Sequence, residues 1–314
     1  MNRSSLVGDL ADASILVTGA GGFIGAALCG RLKSQGVEVH GVSRAPDGRN
    51  ASVTRWWRCD LGDLAQVQRL VSSLRPDRVV HLAGHVSGAP DVELVLPTLR
   101  SNLLGTVNLL LAANDVGCQR VVNAGTMMEP DDSDDARGMS SPYAVSKWAG
   151  TTYARMFHDL YGLPVVNLRI FMVYGPGQTD VRKLIPHAII SLLKRERPRM
   201  ASGVWPIDWV YVDDVVDAFI AAMVAPDVEG ESFDVGSGVL VSIRDVILRI
   251  AKLVGSDVEP EFGALPDRPN EFQRTAVLSP ARERLGWVPM TQLEDGLKRT
   301  VEWYRDRLDS GGFA

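Results

Sequence analysis

The sequence predicts an α/β fold, a doubly wound parallel sheet followed by a smaller lobe, and three observations predict it. Short runs rich in Val and Ile alternate with amphipathic helical stretches as far as Val173, which is typical of a parallel sheet covered by helices on both faces. The first apolar run, 15–17, leads through a cluster of glycines into a helical pattern. Beyond Val173 the chain turns to loop-rich segments with Gly and Pro, which predict a discontinuous lobe.

The elements of the predicted sheet follow in chain order. The predicted strands are 15–17, 37–42, 78–82, 120–124 and 165–170. The predicted helices are 26–32, 63–74, 94–113 and 142–160, with 184–194 following in the lobe. Helix 142–160 has a proline in its first turn, where the missing amide hydrogen costs nothing.

Composition and charge restrict the class of protein. Charged residues make up 23% and hydrophobic residues 46% of the 314 residues, which is ordinary for a globular chain that buries a large core. The formal net charge is -5 and no basic stripe is present, whereas neutralising phosphates would require clustered Lys and Arg. We therefore expect no nucleic-acid partner.

The sequence predicts neither disulfides nor a metal site. Cys29, Cys59 and Cys118 are widely separated, and a reducing cytoplasm fits them best. His81 and His85 straddle a predicted strand end, and no Cys or carboxylate completes a metal site there.

The start of the chain bears on its location. Residues 1–13 contain no sustained apolar core, so they do not predict a signal peptide, and no later stretch is expected to span a bilayer. We expect a cytoplasmic protein with no membrane partner.

A glycine-rich turn links the first strand to the first helix, with Gly19, Gly22 and Gly25 in the run T-G-A-G-G-F-I-G. Glycine permits a positive φ, lets the backbone approach a diphosphate and lets a helix pack closely on a strand. The diphosphate would lie on the amides at the helix N-terminus. The turn therefore predicts a dinucleotide site, the alternative being an ordinary strand-to-helix turn that happens to contain glycine.

The dinucleotide site assigns the domains. Residues 12–173 are expected to form an NAD(P)-binding Rossmann domain, to which 205–228 returns. Residues 174–204 and 229–314 are expected to form the substrate-binding lobe.

A second motif, Tyr143-Ala-Val-Ser-Lys147, predicts proton chemistry. The two side chains are four residues apart, so on a helix they share one face. The usual tyrosine pKa near 10 makes a phenol a poor base at neutral pH, and the Lys147 charge is expected to lower the pKa of Tyr143. Such a phenol can give or take a hydroxyl proton as hydride moves. Tyr and Lys occur at this spacing in many helices, but together with a dinucleotide turn they predict an oxidoreductase.

The end of the second strand, His40-Gly-Val-Ser-Arg44, bears on the cofactor. An acidic residue here would bind the ribose hydroxyls of NAD and repel the extra phosphate of NADP. Ser43 and Arg44 suit that 2′-phosphate instead. We expect NADP(H), with NAD(H) as the alternative if Arg44 points to water.

These motifs resemble those of the extended short-chain dehydrogenases/reductases that act on nucleotide sugars, and the resemblance covers almost the whole chain. The matching segments are 18–25, 59–61, 81–84, 168–171 with 173–177, 209–214, 234–238 and 285–289. The resemblance implies a nucleotide-sugar substrate and a homodimer that pairs through the helices near Leu94 and Tyr143.

The resemblance also implies individual roles. Thr126, just after predicted strand 120–124, matches the hydroxyl residue that the family carries at the end of its fifth strand to hold the substrate oxygen beside Tyr143 and Lys147, although it could equally cap a turn. The expected cofactor-binding residues are Gly19, Gly22, Phe23, Ile24, Gly25, Ser43, Arg44, Asp60, Leu61, Leu82, Ala83, Gly84, Asn102, Tyr143 and Lys147.

Departures from the family pattern narrow the reaction. Met127 and Met128 stand where the sugar-nucleotide dehydratases of the family carry acidic residues, so dehydration is disfavoured. Glu129 lies one position further on, and the sequence does not give the direction of its side chain.

The substrate-binding candidates are Met127, Met128, Met172 and Arg268. Met172 stands where many relatives have Asn, and Ile207 where sugar-nucleotide enzymes commonly have an Arg for the diphosphate. Arg268 matches another Arg that contacts the nucleotide diphosphate in relatives, and its alternative is a solvent-exposed loop residue.

From these features the sequence predicts an NADPH-dependent 4-ketoreductase of a nucleotide-activated keto-deoxyhexose. The alternative is a nucleotide-sugar 4-epimerase with tightly bound NAD(P), which would use the same residues in both directions. A third possibility, a non-catalytic NADP-sensing protein, is opposed by Thr126, Tyr143 and Lys147, because a sensor does not need a proton-transfer apparatus.

Overall fold

The computed structural model describes residues 10, 12–44, 50–130, 140–267 and 273–313, so that the predicted substrate residue Arg268 lies outside the described residues. The chain divides into two compact units. The first unit combines the described residues up to Ile170 with Val216–Val235 and Leu278–Val288, and the second combines Phe171–Val215, Gly236–Val277 and the described residues from Pro289 onward.

Strands and helices are numbered along the chain. The strands are β1 (Ser14–Thr18), β2 (Glu38–Ser43), β3 (Arg55–Arg58), β4 (Arg78–His81), β5 (Arg120–Thr126), β6 (Val165–Ile170), β7 (Met172–Tyr174), β8 (Arg199–Met200), β9 (Pro206–Tyr211), β10 (Ser232–Val235), β11 (Leu240–Ser242) and β12 (Glu261–Phe262). The α-helices are α1 (Phe23–Ser34), α2 (Leu64–Leu74), α3 (Val95–Thr98), α4 (Gly105–Val116), α5 (Pro142–Tyr161), α6 (Leu184–Leu193), α7 (Val212–Val224), α8 (Ile243–Val254), α9 (Leu278–Pro280) and α10 (Leu293–Asp309). Shorter 3-10 or π-helical turns lie at Val92–Leu94, Leu99–Leu104 and Ala281–Leu285.

The first unit is built on a seven-stranded parallel sheet in the order β10-β6-β5-β4-β1-β2-β3. This confirms the predicted doubly wound α/β fold. The strand order reverses at β1, which lies between β2 and β4. Ligands of such sheets bind beyond the carboxyl ends of the strands at this switch point. The segments after β1 and β4 are therefore placed to form a site.

The core of the first unit holds the ends of these strands in position. β5 is buried along its whole length. Leu16, Val79 and Val121 from the sheet pack in one cluster with Leu70 and Leu109 from the helices. β-branched side chains suit a strand that is covered on both faces, and burying each large apolar side chain contributes roughly 1.5–3 kcal/mol.

The helical stretch Val92–Val116 is long and apolar enough to cross a membrane by length and composition. The sequence was expected to contain no membrane-spanning stretch, and length and composition alone do not distinguish such a stretch from a core helix. Within the first unit, however, α4 packs against α2 and α5, and Leu109, Leu110 and Ala113 are buried in the core. A core helix of a globular domain meets the same criteria of length and composition.

The unit boundaries differ from the predicted domain boundaries. The segment that returns to the first unit is Val216–Val235 and not 205–228, because β10 pairs with β6 at the edge of the sheet. Leu278–Val288 also belongs to this unit, since α9 and Ala281–Leu285 pack on β10. The assignment of 229–235 and 278–288 to the first unit follows from β10, a strand not predicted from the sequence, whereas 206–211 belongs to the second unit because β9 pairs with β7 and β11.

The second unit contains two small sheets. β9 pairs with β7 in parallel and with β11 antiparallel, and β8 pairs with β12. The helices α6, α8 and α10 pack on one another. The buried Asp208 carboxylate accepts hydrogen bonds from the amides of Ser237 at 2.6 Å, Gly238 at 3.0 Å and Ala276 at 3.0 Å, which joins separate segments of this unit.

Candidate active site

The glycine turn between β1 and α1 has the shape of a phosphate cradle. Gly19 has a φ of +71°, and a Cβ at Gly25 would lie only 2.1 Å from the Gly19 oxygen. Gly22 precedes the helix, and among the described residues no side chain caps α1 and no acid occupies its first turn. The amides of Phe23 and Ile24 are the first of the helix. The turn therefore fits a diphosphate bound on the helix N-terminus.

The segment after β4 approaches this turn closely. A Cβ on Gly19 would lie 2.7 Å from the Ala83 nitrogen and 2.8 Å from the Leu82 carbonyl carbon. The Ala83 amide donates to the Thr18 hydroxyl at 3.2 Å, and the Leu82 amide donates to the Thr18 carbonyl at 3.2 Å. Gly84 follows directly and is exposed. The structure thus brings two of the predicted cofactor segments together.

His81, at the end of β4, is buried and neutral. Its Nε2 lies 2.9 Å from the Thr106 hydroxyl, which itself donates to the Asn102 carbonyl, so Nε2 carries the hydrogen. Its Nδ1 lies 2.7 Å from the Thr18 hydroxyl and accepts from it. Burial, with a smaller effect of the Lys147 charge, lowers the pKa of His81 to about 3. Across the described part of the chain, no three His, Cys, Asp or Glu side chains are grouped to hold a metal.

Asn102 lies in the π-helical turn Leu99–Leu104, and its buried side chain bonds to protein groups. Its Oδ1 accepts from the His85 amide at 2.6 Å, and its Nδ2 donates to the His85 carbonyl at 3.1 Å. Asn102 was predicted from the sequence to bind the cofactor. In the structure this side chain holds the segment that follows β4.

The turn after β3 is fixed by its neighbours. The Asp60 carboxylate accepts from the Gly62 amide at 3.0 Å and pairs with the Arg100 guanidinium at 2.8 Å. The Leu61 carbonyl accepts from the Asn108 side chain at 2.8 Å. These bonds give the turn that carries the predicted cofactor-binding residues Asp60 and Leu61 a defined position at the edge of the sheet.

The ends of β2 and β3 carry a group of basic residues. Ser43 is half-buried and Arg44, which follows it, is exposed. Ser43 is the register partner of Arg58, which is also exposed. Sequence reasoning missed Arg58. No strand was predicted at 55–58, and only the register of β3 on β2 places Arg58 beside Ser43.

Three side chains of the predicted proton apparatus come from β5 and α5. Thr126 is the last residue of β5. The Ser141 hydroxyl caps α5 by accepting from the Ala144 amide at 3.3 Å, so the helix begins just before Tyr143, and Lys147 lies one turn further along. The Thr126 hydroxyl and the Tyr143 phenol share a hydrogen bond. The structure therefore brings Thr126 and Tyr143 into direct contact.

The charges around Tyr143 differ from the sequence expectation. The pKa of Tyr143 is raised to about 12. Burial is the largest cause, the Thr126 hydrogen bond acts in the opposite direction, and the Glu129 carboxylate contributes a smaller increase. The pKa of Lys147 is lowered to about 8, because burial lowers it more than the Glu129 charge raises it. The sequence predicted that the Lys147 charge would help to lower the pKa of Tyr143. In the structure a buried acid acts on both groups.

Glu129 is that acid, and it is only 2% exposed. Its carboxylate accepts from the Thr126 amide at 2.7 Å. Burial raises the pKa of Glu129, while the Lys147 and Arg169 charges lower it. The direction of the side chain, which the sequence left open, is thus into the first unit.

The predicted substrate residues are divided between the units. Met127 and Met128 follow β5 in the first unit and are half-buried. Met172, in β7 of the second unit, is 41% exposed.

Comparison with known proteins gives a consistent family. The sequence model described as the NAD dependent epimerase/dehydratase family matches residues 15–236. A UDP-glucose 4-epimerase of Mycolicibacterium smegmatis is 33% identical over 93% of this chain and 98% of its own length.

Two solved structures are similar over nearly the whole chain. A Thermotoga maritima UDP-glucose 4-epimerase with UDP-glucose has a TM-score of 0.85 and 28% identity, over 94% of this chain and 99% of that chain. A Bacillus cereus UDP-glucuronic acid 4-epimerase in complex with UDP-glucuronic acid and NAD has a TM-score of 0.80 and 26% identity, over 93% of this chain and 99% of that chain.

Proposed function

This chain belongs to the NAD-dependent epimerase/dehydratase family, and we propose that within it the protein is a nucleotide-sugar 4-epimerase that retains its nicotinamide dinucleotide. The observation that carries this proposal is the hydrogen bond between Thr126 and Tyr143 at the carboxyl edge of the sheet. The similar 4-epimerases favour this function over the ketoreductase expected first from the sequence.

The glycine turn and Lys147 would hold the cofactor. The α1 amides after Gly22 suit the diphosphate, and Lys147 suits the ribose. Asn102 would act indirectly, because its side chain binds the backbone of His85. When bound, the nicotinamide accepts a hydride from a sugar carbon and returns it.

Thr126 and Tyr143 would handle the hydroxyl at the reacting carbon. With the oxidised cofactor bound, the positive charge of its nicotinamide ring and that of Lys147 would favour the phenolate of Tyr143, which could then take the proton of the C4 hydroxyl as that carbon is oxidised to a ketone. Once the keto sugar has turned over, Tyr143 would return the proton to the same oxygen as the carbon is reduced from its other face. Thr126 donates to the same oxygen and orients it. Because the pKa of Tyr143 is about 12, the phenol keeps its proton in the cofactor-free protein.

Dehydration has little support from the side chains that follow Thr126. The thioethers of Met127 and Met128 cannot give or take a proton. Glu129 is an acid, but its carboxylate bonds to the Thr126 amide. An elimination would need an acid and a base directed at the sugar.

The substrate class is proposed from the relatives, of which one was solved with UDP-glucose and another with UDP-glucuronic acid. We infer a UDP-hexose, with Met127, Met128, Met172 and Arg268 as the residues that would bind it.

A homodimer is also proposed. The exposed surface of the helical stretch after β4 and of α5 carries apolar side chains that a partner subunit would cover. They are Val92, Val95, Leu96, Leu99, Leu104, Val145 and Tyr153.

A cytoplasmic location is supported by the three free cysteines. All three are buried, and burial raises the pKa of Cys29 to about 12 and those of Cys59 and Cys118 to about 11, which leaves them as inert thiols.

The NADPH-dependent 4-ketoreductase remains a second candidate because of one observation. Arg44 and Arg58 are exposed around Ser43, where an NAD-specific site would carry an acid. A 2′-phosphate would suit this basic group, and a reductase draws on the NADPH pool.

One experiment separates the two candidates. Purified protein would be incubated with UDP-glucose or UDP-glucuronic acid without added cofactor, and the C4 epimers would be measured by chromatography. We expect epimers to form and a dinucleotide to be released on denaturation. Stoichiometric NADPH oxidation by a nucleotide-linked 4-keto-6-deoxyhexose, without epimer formation, would instead identify the reductase.

A further inference from the structure

Glu129 closes the turn that carries Thr126, and it does so from both ends. Its amide donates to the Thr126 carbonyl at 3.1 Å, while its carboxylate accepts from the Thr126 amide at 2.7 Å. The turn therefore cannot open without losing a hydrogen bond to a buried carboxylate. Hydrogen bonds to charged groups are stronger than those between neutral groups.

Gly125 provides the space for this carboxylate. A Cβ at Gly125 would lie 2.4 Å from Oε1 of Glu129 and 3.3 Å from Oε2. Because Gly125 has no side chain, the Glu129 carboxylate can fold back over the strand at this position.

Charged groups on three other elements surround Glu129. α5 supplies Tyr143 and Lys147, and β6 supplies Arg169. Asp234 of β10 pairs with Arg169 at 2.7 Å, so Arg169 is shared between two acids. Lys147 therefore has two roles: its charge acts on Glu129, and it is part of the predicted proton apparatus.

Glu129 also lines a cavity of about 620 Å³ in the first unit. The other charged or titratable residues of its wall are Arg155, Arg169 and Glu231. A cavity of this size is wide enough for water, which can solvate a carboxylate in its wall. An ionised Glu129 is thus compatible with its burial.

We propose that Glu129 is a positioning residue of the catalytic site, whose carboxylate fixes the turn that presents Thr126 and places a negative charge beside Tyr143 and Lys147. This inference rests on the roles proposed above for Thr126, Tyr143 and Lys147. It assigns the acid after the two methionines to the support of proton transfer and not to elimination of water.

The direction of the electrostatic effect follows from the charge. A carboxylate stabilises the ammonium of Lys147 and opposes the phenolate of Tyr143, so it raises both pKa values. Glu129→Gln keeps an oxygen for the Thr126 amide and removes the charge. Glu129→Ala removes both.

The first measurement does not depend on turnover. The protein contains six lysines, Lys33, Lys147, Lys183, Lys194, Lys252 and Lys298, so the side-chain resonances of ¹³C-lysine-labelled protein can be assigned with Lys147→Arg. In the wild type we expect Lys147 to titrate near the value of about 8. In Glu129→Gln it should titrate at lower pH. Glu231→Gln, which changes another acid of the same cavity, should leave it unchanged.

The second measurement is kcat as a function of pH for the same variants. Glu129→Gln should move the profile to lower pH, whereas Glu129→Ala should also lower kcat by roughly tenfold or more, because the Thr126 amide loses its acceptor. A Lys147 titration that is the same in the wild type and Glu129→Gln would overturn the proposal. That result would stand even if the protein proved not to be an epimerase, because the titration needs no substrate.

Discussion

The Asn102 side chain donates to the Ser146 hydroxyl at 3.0 Å, and the Ser146 hydroxyl donates to the Tyr143 carbonyl at 2.8 Å. The π-helical turn after α3 is thereby joined to the first turn of α5. The same amide holds the backbone of His85 after β4. One buried side chain therefore ties together a segment beside the glycine turn and the helix that carries the catalytic candidates.

Asn102→Ala should lower the free energy of unfolding by about 2 kcal/mol, because the amide of His85 and the hydroxyl of Ser146 lose buried partners. Activity should fall as well, since α5 loses a support. Asn114→Ala is the matched control, because Asn114 is exposed on α4. Denaturant unfolding measures both variants. Equal stability of the two would contradict the role given to Asn102.

His81 should make the protein sensitive to acid. Its pKa is about 3 in the folded protein and 6.5 when unperturbed, so the unfolded chain binds a proton that the folded protein does not. The stabilisation is complete above pH 6.5 and is lost as the pH falls towards 3. At about 1.4 kcal/mol per pH unit the full loss is about 5 kcal/mol.

His81→Asn should therefore show a smaller loss of stability between pH 6.5 and 3 than the wild type, even though it is less stable at neutral pH. The exposed His187 offers the control His187→Asn. Unfolding by urea at several pH values tests this. The same acid dependence in the wild type and His81→Asn would rule the explanation out.

Tyr143→Phe should reduce the rate of epimerisation by roughly 100-fold or more, because general acid–base catalysis is removed. Cofactor content should stay close to that of the wild type, since the glycine turn is unchanged. Tyr153→Phe removes a phenol from an exposed position on the same helix and should be fully active. If Tyr143→Phe retained activity, another group would have to move the proton.

Gly25→Ala should disrupt the glycine turn. The added methyl group would lie 2.1 Å from the Gly19 oxygen, and overpacking of this kind costs about 1–3 kcal/mol. Dinucleotide content should fall in parallel. Gly30→Ala lies in the same helix, with the nearest atom of Ser52 at 3.8 Å, and should raise stability by about 0.5–1 kcal/mol. Thermal unfolding and released dinucleotide measure the two effects.

Arg44→Glu should weaken NADP binding by roughly tenfold or more, the loss expected for a charged hydrogen bond to the 2′-phosphate, and should change NAD binding little. Arg69→Glu makes the same charge change at an exposed position on α2 and serves as the control. Calorimetric titration of both dinucleotides would decide the matter. If Arg44→Glu weakened NADP and NAD binding equally, Arg44 would have no part in cofactor selection.

The sequence predicted those parts of the fold and site that depend on neighbours along the chain. Periodic Val and Ile runs indicated the parallel sheet, and glycine spacing indicated the turn at β1. The interval from Tyr143 to Lys147 matches one turn of α5. Each of these features is local, because a strand, a turn or a helix face is set by residues a few positions apart.

What only the tertiary structure decided depends on residues far apart in the sequence. β10 joins the first unit because it pairs with β6, about 65 residues earlier, which no local pattern reveals. Arg58 lies beside Ser43 through strand register. The pKa values of Tyr143 and Lys147 depend on burial and on Glu129, whose direction is set by the Thr126 amide. Such effects arise from packing and electrostatics between distant segments, so they exist only once the chain has folded.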